Sequence, residues 1–292
     1  MERPVGGMVS GSGRVALVTG CSSGIGEATA VALARTGFRV FASGRTQSGV
    51  EHLRAVSPNL EPIELDVTSD PSIERAVTRV LESAGRIDVL VNNAGVAIFG
   101  AVEDLDRDTL RRQFEVNVFG AVAMCRAVLP AMRRQGRGTI VNVSSVAGRF
   151  STPLLGAYCA SKFALEAFSD ALRNEARPFG MRVVVVEPGA TESGFRDRAA
   201  RESDAVLGRV GSVYARVYRA ALQNYTTPAI ATTADRVGRR IARIATRRRP
   251  AARYRVRWYD TAAIALTRVL PPRVMDLIVS RWIGLDRLRV AR

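Results

Sequence analysis

A phenol and a primary amine stand four residues apart at Tyr158 and Lys162 of this 292-residue chain. On a helix, that spacing stacks two side chains on one face. A free phenol titrates near about 10, so at neutral pH it moves protons poorly unless a cation stabilises its anion. The chain carries 43 Lys and Arg residues, yet Lys162 is its sole lysine. A compact ammonium has a pKa that shifts with its surroundings, whereas a guanidinium stays charged and brings a wide fork. The pair points to proton transfer at a substrate oxygen. Spacing alone does not separate it from a chance pair on a solvated helix, so the other residues must decide.

Composition removes several alternatives. The only histidine is His52, in a polar stretch, which leaves no multi-His metal site and no His-based triad. Cys21, Cys125 and Cys159 have no metal-ligand spacing and make no disulfide framework; they suit a reducing compartment. No metal is expected. A hydrophobic content of 47% with 24% charged residues is that of a globular chain with a sizeable core. The formal charge of +16 would suit nucleic acid or an anionic membrane. The arginines are scattered, however, with short clusters only at Arg133-Arg134, Arg239-Arg240 and Arg247–Arg249. No nucleic-acid motif accompanies them, and a general preference for Arg over Lys accounts for the charge. No nucleic-acid partner is expected. Met1 to Gly13 is rich in Gly and Ser and reads as a disordered leader rather than a signal peptide. No run approaches the about 18 to 20 apolar residues of a membrane span. The expectation is a soluble, cytoplasmic protein.

The elements that must position Tyr158 and Lys162 alternate regularly. Apolar runs predict strands at 15–18, 39–43, 62–66, 87–91, 139–143 and 182–186, and helical periodicity predicts helices at 23–36, 72–83, 107–134 and 157–177. Near-continuous Val/Ile strands between amphipathic helices indicate a parallel sheet covered on both faces. The predicted fold is α/β, a doubly wound parallel sheet (Rossmann fold) with helices on both faces and a C-terminal helical extension. Beyond Pro188-Gly189 the spacing predicts a helical excursion over 194–231, with Tyr214, Tyr218 and Leu222 on one face. A helix over 234–247, a last strand within 252–258 and an apolar-basic helical tail over 266–288, broken at Pro271-Pro272, follow. No linker interrupts this part, so 14–292 reads as one domain, with 194–292 as substrate-loop region and extension.

In such sheets ligands bind beyond the carboxyl ends of the strands. The first strand runs into Thr19-Gly20-Cys21-Ser22-Ser23-Gly24-Ile25-Gly26, which opens a helix. Glycines there permit a tight turn and close approach to a diphosphate, and the helix start favours an anion. Gly44-Arg45 ends the second strand. An acid at this place would bind the ribose of NAD; Arg45 instead can pair with a 2′-phosphate, so NADP is expected, with NAD as the alternative. Asp66-Val67, Asn92-Asn93-Ala94-Gly95, Ser144-Ser145 and Pro188-Gly189 end the following strands.

With these residues assembled, the chain resembles the short-chain dehydrogenase/reductase family from about Arg14 to Ser193. Thr19 to Gly26 is similar to the family's TGxxxGxG, Asn92 to Gly95 to its NNAG, and Tyr158 to Lys162 to its YxxxK. Ser145 and Asn117 stand where the family has its catalytic Ser and Asn. The resemblance implies a catalytic set of Asn117, Ser145, Tyr158 and Lys162. Ser145 would hydrogen-bond the substrate oxygen, Tyr158 would exchange a proton with it, Lys162 would lower the phenol's pKa and hold the nicotinamide ribose, and Asn117 would hold a water leading to Lys162. It also implies cofactor contacts from Gly20, Ser22, Ser23, Gly24, Ile25 and Gly26, from Asn93, Ala94 and Gly95, and from Pro188 and Gly189. Asp66, with Val67 beside it, would contact the adenine, and Ser193 stands where a Thr commonly holds the carboxamide. Ser23 replaces a basic residue sometimes found there, which leaves Arg45 to carry the NADP preference. A homodimer or homotetramer is implied through the helices after the fourth and fifth strands. The face of Val118, Val122 and Cys125 is compatible with that and equally with internal packing.

Opposite the cofactor, 146–156, the stretch after Gly189 and the region from Gly194 to Tyr225 should meet the substrate. Ser145, Phe150, Leu154, Leu155, Tyr158 and Phe195 are the expected lining, which suggests an apolar pocket. By analogy with family members acting on steroids, retinoids and other lipophilic molecules, the expected substrate is a lipophilic secondary alcohol or ketone. Residues 257–288 read as a helix pair over the pocket or at an oligomer contact; the alternative is an amphipathic basic segment in peripheral contact with anionic lipid. The competing function is a non-catalytic NADP(H)-binding sensor or scaffold on the same fold. A protein that binds membrane or nucleic acid through its charge is a weaker third.

Overall fold

The computed structural model describes residues 13–209, 211–218, 221 and 231–287. The expected leader up to residue 12, the positions Leu222 and Tyr225, and the last five residues of the chain lie outside the described residues.

Short, wholly buried apolar runs make the centre of the molecule. Strands β1 (Val15–Val18), β4 (Val89–Asn92) and β5 (Gly138–Val143) have no exposed residue, as a sheet covered on both faces requires. With β2 (Arg39–Gly44), β3 (Leu60–Glu64), β6 (Met181–Glu187) and β9 (Arg253–Arg255) they form a seven-stranded sheet in the order β3-β2-β1-β4-β5-β6-β9. Every pairing is parallel. The order reverses between β1 and β4, and the crevice at that reversal is where such sheets take ligands. β3 begins and ends two residues before the predicted run, so Asp66 and Val67 fall in the loop beyond its end. A two-stranded pair, β7 (Thr191–Glu192) with β8 (Thr232–Thr233), was not predicted; two residues carry no readable periodicity.

Helices cover both faces. On one side, α1 (Gly24–Arg35) crosses α7 (Ala234–Ala245) at close range: a β-carbon on Gly238 would lie 2.6 Å from Ala28 O. Leu33, Phe38 and Ile241 are fully buried there. On the other side lie α2 (Asp70–Ala84) and the long helical run from α3 (Arg107–Phe114) through a π turn (Glu115–Phe119) into α4 (Gly120–Arg134). By length and composition this run could cross a membrane. Here its Met124, Val128 and Met132 are fully buried against the sheet. Val118 and Cys125 are also buried and only Val122 is partly open, so of the two readings of this face internal packing is the one the fold takes. α5 (Gly156–Ala176) carries Tyr158 and Lys162 past the end of β5.

The C-terminal extension is built into the sheet. β9 pairs with β6 and brings arginines to two buried acids. Arg255 Nε lies 3.0 Å from Glu187 Oε2, and Arg253 reaches Glu166 at 2.9 Å and Asp170 at 2.6 Å. Two helices follow, α8 (Trp258–Val269) and α9 (Pro272–Ile283); α8 starts well before the predicted tail, and the break falls at Pro271 as expected. Between these layers, α6 (Phe195–Leu207) follows β7 and lies over the crevice.

Candidate active site

The strand ends converge on one crevice, and the glycine turn forms its floor. Gly20 and Gly24 have φ of 71° and 66°, which a side chain would strain. A β-carbon on Gly26 would lie 2.1 Å from Gly20 O, so only glycine lets the turn close. Gly24 and Gly26 shape the turn and line neither of two adjoining cavities, while Gly20, Ser22, Ser23 and Ile25 line one or both. Asn93 is mainly a brace: its Nδ2 donates to Thr19 O at 3.0 Å and to Gly20 O at 3.1 Å. Thr19 Oγ1 accepts from the Asn93 and Ala94 amides at 3.0 Å each, a tie that the sequence reading did not find.

Tyr158, Lys162 and Ser145 line the same cavity, of about 470 Å³. Lys162 is buried, and its Nζ donates to Val143 O at 2.9 Å and lies 5.8 Å from the centroid of the Tyr158 ring. Burial pushes the ammonium down to about 8, against the charge of Glu166. Burial pushes the Tyr158 phenol up to about 12, against a hydrogen bond with Ser145. The protein alone therefore does not lower the phenol as the spacing suggests; desolvation outweighs the hydrogen bond with Ser145. The Ser145 hydroxyl also accepts from Ala147 N at 3.1 Å and approaches Pro188 O at 3.4 Å.

Asn117 lines neither of the two cavities described here. It sits on the π turn, buried, with Nδ2 donating to Val96 O at 2.9 Å and Ser161 Oγ at 3.0 Å, and Oδ1 accepting from Val96 N at 2.8 Å. Ser161 Oγ in turn donates to Tyr158 O at 2.7 Å. Asn117 thereby ties the loop after β4 to the start of α5.

A second cavity, of about 300 Å³, holds Arg45, Asp66 and Val67 together with Ser22 and Ala94. Arg45 is exposed and makes no ion pair among the described residues. Asp66 Oδ1 accepts from Thr68 N at 2.9 Å and Thr68 Oγ1 at 2.8 Å, which fixes its carboxylate at the rim. Gly95 lines both cavities, and Pro188, Gly189 and Ser193 line the first.

The first cavity is largely apolar. Phe150, Leu155 and Phe195 line it as expected, with the Phe195 ring 6.2 Å from that of Tyr158. Leu154 does not line it. Its φ of 64° turns the chain, and the side chain packs instead with Ala101, Val217, Tyr218 and Ile283. Val279 and Trp282 of α9 line the cavity and Arg198 of α6 lines both; none was found from sequence, since they come from parts of the chain without a motif. The predicted cover by the tail thus holds at these two residues of α9.

Comparison with known proteins places this arrangement. The family described as short chain dehydrogenase matches residues 14–204. The 3-ketodihydrosphingosine reductase of Bacteroides thetaiotaomicron is 42% identical over 184 residues, covering 63% of this chain and 66% of that protein's own length. Human retinol dehydrogenase 5 is 35% identical over 281 residues, covering 91% of this chain and 87% of that one. A Burkholderia phymatum short chain dehydrogenase/reductase, solved in complex with NAD, superposes with a TM-score of 0.75 at 26% identity, over 89% of this chain and 94% of that one.

Proposed function

Because the chain belongs to the short-chain dehydrogenase family, we propose that it is an NADP(H)-dependent oxidoreductase interconverting a lipophilic secondary alcohol and its ketone. One observation carries the reading: Ser145, Tyr158 and Lys162 open into a single cavity whose other walls include Phe150, Leu155, Phe195 and Trp282. A phenol held protonated beside a hydroxyl, in an apolar pocket, suits proton exchange with a carbonyl or carbinol oxygen. The names of the two relatives, a ketosphingoid reductase and a retinol dehydrogenase, support a lipophilic substrate for this chain.

The residues present fit a nicotinamide dinucleotide. Two cavities meet at the glycine turn, one holding the phenol and the ammonium, the other a guanidinium and a carboxylate. Gly20, Ser22, Ser23, Ile25, Ala94 and Gly95 would hold its centre. Arg45, Asp66 and Val67 would take the adenosine end, and Pro188, Gly189 and Ser193 the nicotinamide end. Arg45 favours a 2′-phosphate. When bound, the nicotinamide supplies or accepts the hydride.

In the reducing direction, the Ser145 hydroxyl orients the substrate oxygen and Tyr158 donates its phenolic proton to it as charge develops there. Lys162, in its cationic form, holds ribose hydroxyls and stabilises the phenolate left behind. Asn117 acts as a positioning residue through Val96 and Ser161. The apolar walls exclude water. Assayed against a panel of lipophilic ketones and alcohols, the enzyme should turn over NADPH faster than NADH. Tight dinucleotide binding with no turnover would instead support a sensor, and equal rates with both cofactors would remove the role given to Arg45.

Two surface features support partners. Phe163 and Phe168 of α5 and Phe119 of the π turn are 44%, 48% and 52% exposed, apolar surface that supports contact with a second copy of the chain. Phe163→Glu should lower the mass in solution; an unchanged mass would remove this face. Trp258, Val269 and Leu277 expose apolar surface near Arg257 and Arg273, which supports peripheral contact with anionic lipid. Failure to cosediment with anionic vesicles at moderate salt would end that idea.

A further inference from the structure

We propose that Arg198, on the helix beyond the substrate loop, is a binding residue for the diphosphate of the dinucleotide. The inference rests on the nicotinamide reading above and adds a residue that no motif marks. The two cavities share a rim formed by Gly20, Gly95, Ala97, Phe195, Arg198 and Ala199. A dinucleotide with one end at Tyr158 and the other at Arg45 must carry its diphosphate across that rim. Of the six residues there, Arg198 alone is charged. Its Nη1 donates to Ser23 Oγ at 2.5 Å, which holds the guanidinium over the glycine turn. Arg112 lines the second cavity only, away from that rim. A guanidinium fork matches a diphosphate's oxygens in geometry and charge.

The placement has a consequence for the substrate. Arg198 belongs to α6, which also supplies Phe195 to the cavity that holds Tyr158. Engaging the diphosphate through Arg198 would tie α6, and with it one wall of the substrate pocket, to the dinucleotide.

The test is direct binding, measured by calorimetry at several salt concentrations, with NADPH, NADH, ADP-ribose and adenosine 2′-monophosphate as probes. Arg198→Ala should weaken NADPH, NADH and ADP-ribose alike, by about tenfold to a hundredfold, and reduce the salt dependence of each. It should leave adenosine 2′-monophosphate, which has no diphosphate, unchanged. Arg198→Lys should recover part of the loss. Arg45→Ala should give the opposite pattern, weakening NADPH and adenosine 2′-monophosphate while sparing NADH. On the unsubstituted protein, ADP-ribose should protect Arg198 from dicarbonyl modification and adenosine 2′-monophosphate should not, a readout that survives a misfolded variant. Unchanged dinucleotide affinity in Arg198→Ala, or a loss confined to substrate, would overturn the assignment while leaving the nicotinamide reading intact. Failure of the unsubstituted protein to bind any dinucleotide would overturn that reading itself, and Arg198's role with it.

Discussion

Gly189 and Asp260 stand so close that a β-carbon on Gly189 would lie 2.2 Å from Asp260 Oδ1. Gly189 lines the cavity that holds Tyr158, whereas Asp260 belongs to α8 in the C-terminal extension. The Asp260 carboxylate is buried, accepts from Arg257 N at 3.0 Å, and also hydrogen-bonds the Gly189 backbone. The extension therefore supports the loop after β6 from behind.

That contact predicts a coupled pair. Gly189→Ala should cost about 1 to 3 kcal/mol of stability, the usual range for overpacking, and weaken dinucleotide binding. Asp260→Ala should itself destabilise, because it removes the acceptor from the part-buried Arg257 N–H. In the Asp260→Ala background, however, Gly189→Ala should cost clearly less, since the obstructing oxygen is gone. Thermal or denaturant unfolding of the four proteins decides it. Additive losses would show that the two residues do not share one contact.

The pH profile of carbonyl reduction should follow Lys162 rather than Tyr158. The phenol, pushed up to about 12, remains a proton donor across the working range. The ammonium, pushed down to about 8, loses its charge above that pH. Accordingly kcat/KM, which reports the free enzyme, should fall as pH rises through about 8. A profile that stays flat to about pH 10 would remove the cationic role of Lys162.

The same shift has a stability consequence of defined sign. The folded pKa of Lys162 lies below its ordinary value of 10.5, so the unfolded chain holds the proton more tightly. The cost of burying the charge is complete below pH 8 and disappears as pH rises towards 10.5. Lys162→Met should thus stabilise the protein at pH 7, by up to about 3 kcal/mol less the lost hydrogen bond to Val143 O. The gain should fade at alkaline pH. Denaturant midpoints at neutral pH and near pH 10 test this; an equal effect at both would contradict it.

The buried charges beside β6 should matter more than surface pairs. Glu187 is fully buried and faces Arg255, Arg253 and Arg149. Arg253→Ala removes cations from Glu166 and Glu187 together and should cost about 3 kcal/mol or more. Arg54→Ala, which breaks an exposed, solvent-screened pair with Glu51, should leave the midpoint nearly unchanged. Similar midpoints for the two variants would show that the buried cluster is not needed for stability.

Much of this architecture is legible in the amino-acid order because local rules act on it directly. Buried parallel strands must be apolar throughout, so Val15–Val18 and Val183–Val186 announce themselves. The tight turn at Gly20–Gly26 needs glycines wherever it occurs. Other features depend on distant parts of the chain. Val118 and Cys125 lie on an apolar helix face whose partner, sheet or second subunit, only tertiary packing decides. Leu154 looks like pocket lining until its positive φ turns it into another cluster. Arg198, Asp260 and Trp282 come to the site or its back because α6 lies over the crevice and the two helices after β9 return to it, and nothing beside them in sequence marks that return. The Tyr158 phenol shows the same limit in electrostatics: its spacing from Lys162 is local, but the burial that dominates its pKa is not.

Proton exchange between Tyr158 and a substrate oxygen, with hydride supplied by a bound nicotinamide, is open to direct measurement. The most direct measurement uses NADPH deuterated at the transferring position with lipophilic ketones, followed by mass spectrometry of the alcohols formed. The unsubstituted protein should place deuterium on the carbinol carbon, and Tyr158→Phe should bind NADPH equally well yet form product at least about a thousandfold more slowly, within the range attributed to a general acid. Deuterium transfer at an undiminished rate in Tyr158→Phe, or bound NADPH with no transfer to any ketone in the unsubstituted protein, would contradict the account.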